Sequence, residues 1–381
     1  MMKHFKELQE KRLESGQERI LRNIDRLSVS NAHFSNFSSN DYLGLAQDLN
    51  IQKRFFAEST EADLRLSSAS SRLLTGHTDQ SENLEDLLSD LYGGKAALSF
   101  GSGYHANSGI IPAITDKKTL ILADKLVHAS IIEGLRLSEA TSMRFRHNDL
   151  KHLSTLLEKY SAEYERVILM TESIFSMDGD EAPLKAMVAL KDKYTNLELY
   201  IDEAHAVGVR GKNGLGCVEE HDLIDKVDYI IGTMGKALAS MGAYIICDEV
   251  VKAHLINTCR TFIFTTAPAP INQAWSAFIL RLQPDLQPQR EHLKAISNRL
   301  KDFLRTKGIA NMSNSHIIPI IIGDNHSCLA IAEQLQARGL WVLPVRPPTV
   351  PEGSSRLRIS LSSSISDSEM DYLIDQLDNL L

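Results

Sequence analysis

Between residues 119 and 233 the chain repeats a strand-then-helix rhythm, and that alternation restricts it to a small set of folds. The strand candidates are TLILAD (119–124), MRFRH (143–147), VILMTES (167–173), LELYIDEA (197–204) and VDYIIGT (227–233). Helical segments start near Ser130 and Asp149 and cover 182–193, and a further strand candidate, Ala96 to Phe100, precedes them all. Such a sequence predicts an α/β fold: a mostly parallel sheet with helices on both faces, whose chemistry gathers where the strands exit.

The flanks read differently. Residues 1 to about 27 alternate charge with Phe5, Leu8, Leu13, Ile20, Leu21 and Ile24, which predicts one or two amphipathic helices. Ser81 is placed to cap a helix carrying Leu84, Leu87, Leu88 and Leu91, ended by Gly93-Gly94. After a long helical segment near 270–306 come HIIPIII (316–322), a helix over 327–338, LWVLPV (340–345), RLRISL (356–361) and a closing amphipathic helix. These predict a smaller C-terminal α+β domain. The expected division is an N-terminal helical segment (1–45), a large α/β domain (46–270), and an interdomain helix with the small domain (271–381).

Composition narrows the partners. A formal net charge of −8 over 381 residues argues against nucleic acid or an anionic membrane as the main partner. Cys217, Cys247, Cys259 and Cys328 are scattered without Cys-x-x-Cys spacing, so neither a metal site nor a disulfide framework is indicated. No stretch approaches the roughly 20 apolar residues of a membrane span, and a cytoplasmic protein is expected.

Four stretches carry chemistry. FGSGYHANSG (100–109) is a glycine-rich turn running into a helix near Tyr104, where converging N–H groups favour an anion such as phosphate. By itself it is equally a plain turn. YIDEAHAVGVRG (200–211) puts Asp202 and His205 at a strand exit, where a carboxylate can hold a ring nitrogen protonated. DKLVHASIIEG (124–134) places His128 before a helix, and TESIFSMDGDEAPL (171–184) places Ser176 in a polar turn. Downstream, VDYIIGTMGKALASMGAYIIC (227–247) delivers Lys236 after a buried strand, where burial favours an amine that can attack a carbonyl. Alone, each has a bland reading as a cap, a turn or a surface lysine. Together they run in the order that a pyridoxal-phosphate enzyme uses them. Asp-Glu-Ala-His is also a Walker-B-like signature of ATPases, but that needs a Gly-x-x-x-x-Gly-Lys-Ser/Thr loop upstream. The chain has none, and Gly235-Lys236 is followed by Ala237, which lacks the magnesium-binding hydroxyl.

With these motifs the sequence resembles the α-oxoamine synthases, a family of fold-type I pyridoxal 5′-phosphate-dependent transferases. The resemblance runs through NFSSNDYLGLA (36–46), SSRLLTGHT (70–78), DKLVHASIIEG, HNDLKHL (147–153), FSMDGDEAPL (175–184), IDEAHAVGVRG (201–211), TMGKA (233–237) and RPPTVPEGSSRLRISL (346–361). It implies that Lys236 joins the cofactor through a Schiff base and moves the α-proton. It also implies that Asp202 faces the pyridine nitrogen, His205 bonds the phenolic oxygen with Ser176 assisting, and His128 stacks on the ring. The phosphate would rest on Gly103, Tyr104 and Thr233, with Thr265 and Thr266 reaching it from a second subunit of a homodimer. Arg358 would bind the amino-acid carboxylate, with Asn40 and Thr349 as further substrate contacts. HNDLKHL and RPPTVPEGSSRLR resemble the branch that condenses L-alanine with a pimeloyl thioester, carried on coenzyme A or acyl carrier protein, in biotin synthesis. A glycine- or serine-using sister enzyme and a non-catalytic partner subunit are the alternatives, although the latter would be expected to lack the lysine. Where relatives often carry Gly-Ser-Gly, this chain has Ser67-Ser68-Ala69, which reduces backbone freedom there.

Overall fold

The computed structural model describes residues 2–25 and 34–381. Residues 26 and 27, the end of the expected N-terminal helical stretch, lie outside the described residues. The chain divides into two compact units: Leu43–Phe175 with Glu181–Arg290, and Met1–Tyr42 with Ser176–Asp180 and Glu291–Leu381.

The larger unit is built on a seven-stranded sheet of β2 (Ala96–Phe100), β3 (Thr119–Asp124), β4 (Thr141–Phe145), β5 (Arg166–Glu172), β6 (Leu197–Asp202), β7 (Tyr229–Thr233) and β8 (Ala243–Cys247). Its spatial order is β2-β8-β7-β6-β5-β3-β4. All neighbours are parallel except β8, which is antiparallel to both β2 and β7. The expected mostly parallel sheet is therefore present, and β8 is the strand not read from the sequence, because AYIIC follows the lysine loop with no helix between. Every residue of β2, β3, β7 and β8 is buried. Strands covered on both faces read as unbroken apolar runs, which is why these segments lack alternation. The core around them includes Ile110, Ile121, Ile168, Tyr200, Ile231 and Ile245.

Helix boundaries follow local capping. The helix Gly103–Ile114 begins where the Ser102 side chain accepts the His105 N–H, and the helix Ala129–Leu137 begins where His128 accepts the N–H of Ser130. The helix expected to be capped by Ser81 instead runs Asp79–Leu91 from Thr78, and Ser81 is buried inside it, donating to Gln273 Oε1 at 2.7 Å.

The smaller unit holds a three-stranded antiparallel sheet ordered β11-β12-β9, made of β9 (Ile317–Gly323), β11 (Leu343–Val345) and β12 (Ser355–Ser360). β1 (Ser35–Asn36) pairs in parallel with β10 (Leu340–Trp341). LWVLPV is thus two short strands serving different sheets, with Val342 between them buried. At the N-terminus the helix Met2–Glu14 has no buried residue. Residues 17–23 have no regular structure, Ile20 and Leu21 are exposed, and residues 24 and 25 are helical. Among the described residues no helix is long and apolar enough to cross a membrane.

Candidate active site

The sheet's parallel strands end at the site. Lys236 sits in the loop that joins β7 to antiparallel β8, a closed structure rather than a free turn. Met234 N–H donates to Gly242 O at 3.0 Å, Ser240 N–H to Met234 O at 2.8 Å, and Ala239 N–H to Lys236 O at 2.8 Å. From outside the loop, Trp275 Nε1–H donates to Ala239 O at 2.9 Å, and the hydroxyls of Ser240 and Ser276 meet at 2.7 Å. Gly232 is what lets β7 close on β8: a Cβ there would lie 2.1 Å from Tyr244 Cζ, its register partner. Within this frame Met234, Ala237 and Leu238 are buried and Lys236 is half-buried.

Lys236 Nζ lies 2.9 Å from Nε2 of His205, a ring only 4 % exposed. Asp202, at the end of β6, is 5 % exposed and accepts Asn107 Nδ2–H at 2.7 Å and the Ala204 N–H at 2.9 Å. The same Asn107 amide donates to Ser130 Oγ at 2.9 Å, Ser130 Oγ is 2.8 Å from His128 Nδ1, and Tyr200 O–H donates to Asn107 Oδ1 at 2.6 Å. One hydrogen-bond chain therefore joins Asp202 to His128. Because Ser130 offers both its N–H and its hydroxyl to Nδ1, that nitrogen is the acceptor, on the buried side of a residue that keeps part of its surface exposed. Burial holds the His128 imidazole below its ordinary titration range, Lys236 pushes the same way, and Asp202 opposes them.

Asn107, Ser130 and Tyr200 were not read from the sequence. The signal was there for Asn107: it shares a helix face with Ile110, Ile111 and Ile114, and a polar side chain on an apolar stripe marks a buried partner. Ser130 and Tyr200 carry no such mark.

Next to the lysine loop, the N-terminus of the helix Gly103–Ile114 forms an open cradle. A Cβ at Gly103 would meet only Thr233 Oγ1, at 3.9 Å, and one at Gly235 only Ser240 O and Thr233 Oγ1, each at 3.8 Å. Tyr104 is 48 % exposed. Thr233 already donates its hydroxyl hydrogen to Gly242 O at 3.1 Å, so an anion there would take a backbone N–H first. Thr265 and Thr266 follow the helix Arg260–Ile263, half-buried and exposed respectively, and among the described residues their side chains make no hydrogen bond to the lysine group. An amine beside an imidazole, a buried carboxylate, an exposed imidazole face and an anion cradle at a helix N-terminus fit pyridoxal 5′-phosphate.

The smaller unit brings the remaining candidates together. Arg358, on β12, donates from Nε to Ser176 O at 2.6 Å and approaches Asn40 Oδ1 at 3.4 Å from both terminal nitrogens. Tyr42 O–H donates to the same Asn40 oxygen at 2.9 Å, and burial pushes the Tyr42 phenol up to about 12, with Arg358 opposing. Thr349 is exposed and accepts Arg19 Nη2–H at 2.7 Å.

Residues 32–377 match the aminotransferase class I and II family. The chain belongs to that family, and the fold-type I architecture expected from the sequence holds. Within it the chain is a pyridoxal-phosphate-dependent acyltransferase of the α-oxoamine synthase class. It is 50% identical over 353 residues to the 8-amino-7-oxononanoate synthase of Haemophilus ducreyi, covering 91% of each chain. Among solved structures it resembles a Sphingomonas wittichii serine palmitoyltransferase, with TM-score 0.84 and 30% identity over 91% of this chain and 87% of that one. It also resembles the 8-amino-7-oxononanoate synthase from Francisella tularensis, with TM-score 0.76 and 25% identity over 91% of this chain and 97% of that one.

Proposed function

We propose that this chain condenses L-alanine with a pimeloyl thioester, releasing carbon dioxide and the free thiol and giving 8-amino-7-oxononanoate, a step of biotin synthesis. The observation that carries the reading is the 2.9 Å approach of Lys236 Nζ to His205 Nε2, in a chain half identical to a synthase named for that product.

Pyridoxal phosphate, when bound, supplies the electron sink that makes the α-proton of an amino acid removable. Lys236 is the residue that holds the cofactor and then takes that proton on Nζ, His205 orienting the amine. Asp202, fixed by Asn107, supplies the negative charge that keeps the pyridine nitrogen protonated. His128 would cover the ring face, Gly103, Tyr104 and Thr233 would hold the phosphate, and His205, with Ser176 assisting, would bond the phenolic oxygen. Arg358, already aligned by Ser176 O and Asn40, takes the amino-acid carboxylate, with Thr349 lining the same substrate. The enzyme acts as a cytoplasmic homodimer, Thr265 and Thr266 of one subunit serving the phosphate of the other.

A serine-using reaction is the second reading, favoured by the fit to the Sphingomonas wittichii palmitoyltransferase. Incubating the holoenzyme with a pimeloyl thioester and L-alanine, glycine or L-serine separately, and weighing the products by mass spectrometry, decides between them.

A further inference from the structure

The edge strand β4 has one neighbour in the sheet, β3, and of its five residues only Phe145 is buried. Just beyond it, His147 and Asn148 both address one carboxyl group. His147 Nδ1 lies 2.9 Å from Asp124 Oδ1, and Asn148 N–H donates to Asp124 Oδ2 at 2.8 Å. Asn148 does so with left-handed backbone at φ 51°, a conformation that asparagine tolerates better than most residues. Asp124 ends β3 and is fully buried. Its Oδ1 also accepts the Leu126 N–H at 2.8 Å, and Val127 N–H donates to its carbonyl at 3.4 Å, which closes the turn leading straight to His128. With backbone N–H groups donating to both oxygens, the carboxyl is the acceptor and His147 Nδ1 carries the hydrogen.

The same two residues are anchored beyond β5. The His147 ring stands edge-on to buried Phe175, centroids 4.5 Å apart, and Asn148 Nδ2–H donates to Glu181 O at 3.2 Å. Glu181 is in turn bridged to Ile174, and Ala182 N–H donates to Ser173 O at 3.1 Å. The bonds between His128 and Ser130 are local to the helix entry: they orient the ring on its own helix and do not fix that entry over the strand ends. We propose that His147 is a positioning residue for His128: by donating to Asp124 it ties the turn 124–127 to the segment anchored beyond β5, and so sets where the His128 ring stands. Without that donor Asp124 keeps the N–H of Asn148, but nothing ties the turn to the ring packed on Phe175. The cofactor side of this inference rests on the function proposed above; the placing of His128 does not.

The test uses wild type, His147→Phe, which keeps an aromatic ring beside Phe175 without a donor, and His147→Asn, whose Nδ2–H takes the place of Nδ1–H. In labelled-histidine NMR of the cofactor-free protein, the His128 ring resonances should move in His147→Phe. Its titration midpoint should rise toward 6.5, because burial is what holds it down. In His147→Asn both should stay near wild type. Pyridoxal phosphate affinity should fall about tenfold in His147→Phe, the equivalent of one lost hydrogen bond, and recover most of that in His147→Asn. Borohydride capture at Lys236 under saturating cofactor should be the same in all three, since the lysine loop is closed by its own bonds. Unfolding curves separate loss of fold from loss of position. Where His147→Phe does not fold, His147→Gln, whose longer side chain presents its donor out of register, gives the same reading. An unmoved His128 in the donor-less variant, equal losses in both variants, or lost capture at Lys236 overturns the proposal. If wild type itself binds no pyridoxal phosphate, the proposed function fails while the His128 resonances still decide the role of His147.

Discussion

Lys236 Nζ and His205 Nε2 stand 2.9 Å apart beyond the ends of the buried strands β6 and β7. That pairing fixes where an amine can act, and it makes the lysine the group whose removal is most informative. Lys236→Ala should end covalent capture of pyridoxal phosphate: borohydride treatment adds the cofactor's mass to wild type and not to the variant. Turnover should drop by roughly 10²–10⁴-fold, as expected for loss of a positioned proton-transfer group. Capture of the cofactor at another lysine would contradict the assignment.

The chain from Asp202 through Asn107 and Ser130 to His128 has an electrostatic signature. The His128 imidazole is held below its ordinary value of 6.5. A histidine depressed in the folded state binds fewer protons than in the unfolded chain, so its contribution to stability is complete above pH 6.5 and is lost as pH falls through the folded midpoint. By NMR titration of the cofactor-free protein, Asp202→Asn should lower that midpoint further, because the carboxylate raises it. Lys236→Ala should raise it. No shift in either variant would mean that burial alone sets the value, and shifts of the opposite sign would contradict the roles given to Asp202 and Lys236.

Two alanines adopt left-handed backbone, Ala69 at φ 51° and Ala239 at φ 47°. Ala239 is held by Trp275 Nε1–H within the lysine loop. Ala239→Gly and Ala69→Gly should each stabilise the protein by up to about 1 kcal/mol in chemical denaturation, relief of strain exceeding the added freedom of the unfolded chain. Trp275→Phe should cost about 1 kcal/mol, since it removes the donor to the half-buried Ala239 carbonyl.

Arg358→Lys tests the substrate side. A lysine cannot reproduce the forked contacts to Ser176 O, Asn40 and an incoming carboxylate. Steady-state kinetics should show KM for the amino acid rising roughly tenfold or more, the loss of a charge-assisted hydrogen bond, with a smaller change in kcat. A kcat loss at unchanged KM would move Arg358 out of the carboxylate-binding role.

Most of the sheet was legible because strands such as β2, β3 and β7 are buried and read as apolar runs, TLILAD and AALSF coinciding with β3 and β2 to the residue, whereas the exposed edge strand β4 lies at Thr141–Phe145 rather than at 143–147. β8 escaped because the rhythm that revealed the others depends on an intervening helix. The division of LWVLPV between two sheets at the buried Val342 was not legible, because an apolar run does not record which sheet each residue joins. Lys236, Asp202, His205 and His128 were readable from motif order. Asn107, Ser130 and Tyr200 were not, since their contribution is hydrogen bonding between segments distant in sequence.

The most direct measurement is product formation by the purified protein with pyridoxal phosphate, a pimeloyl thioester and one amino acid at a time. The account predicts 8-amino-7-oxononanoate, with one carbon dioxide and one thiol released per product, from L-alanine and far less from glycine or L-serine. A condensation product from L-serine or glycine with none from L-alanine would contradict it.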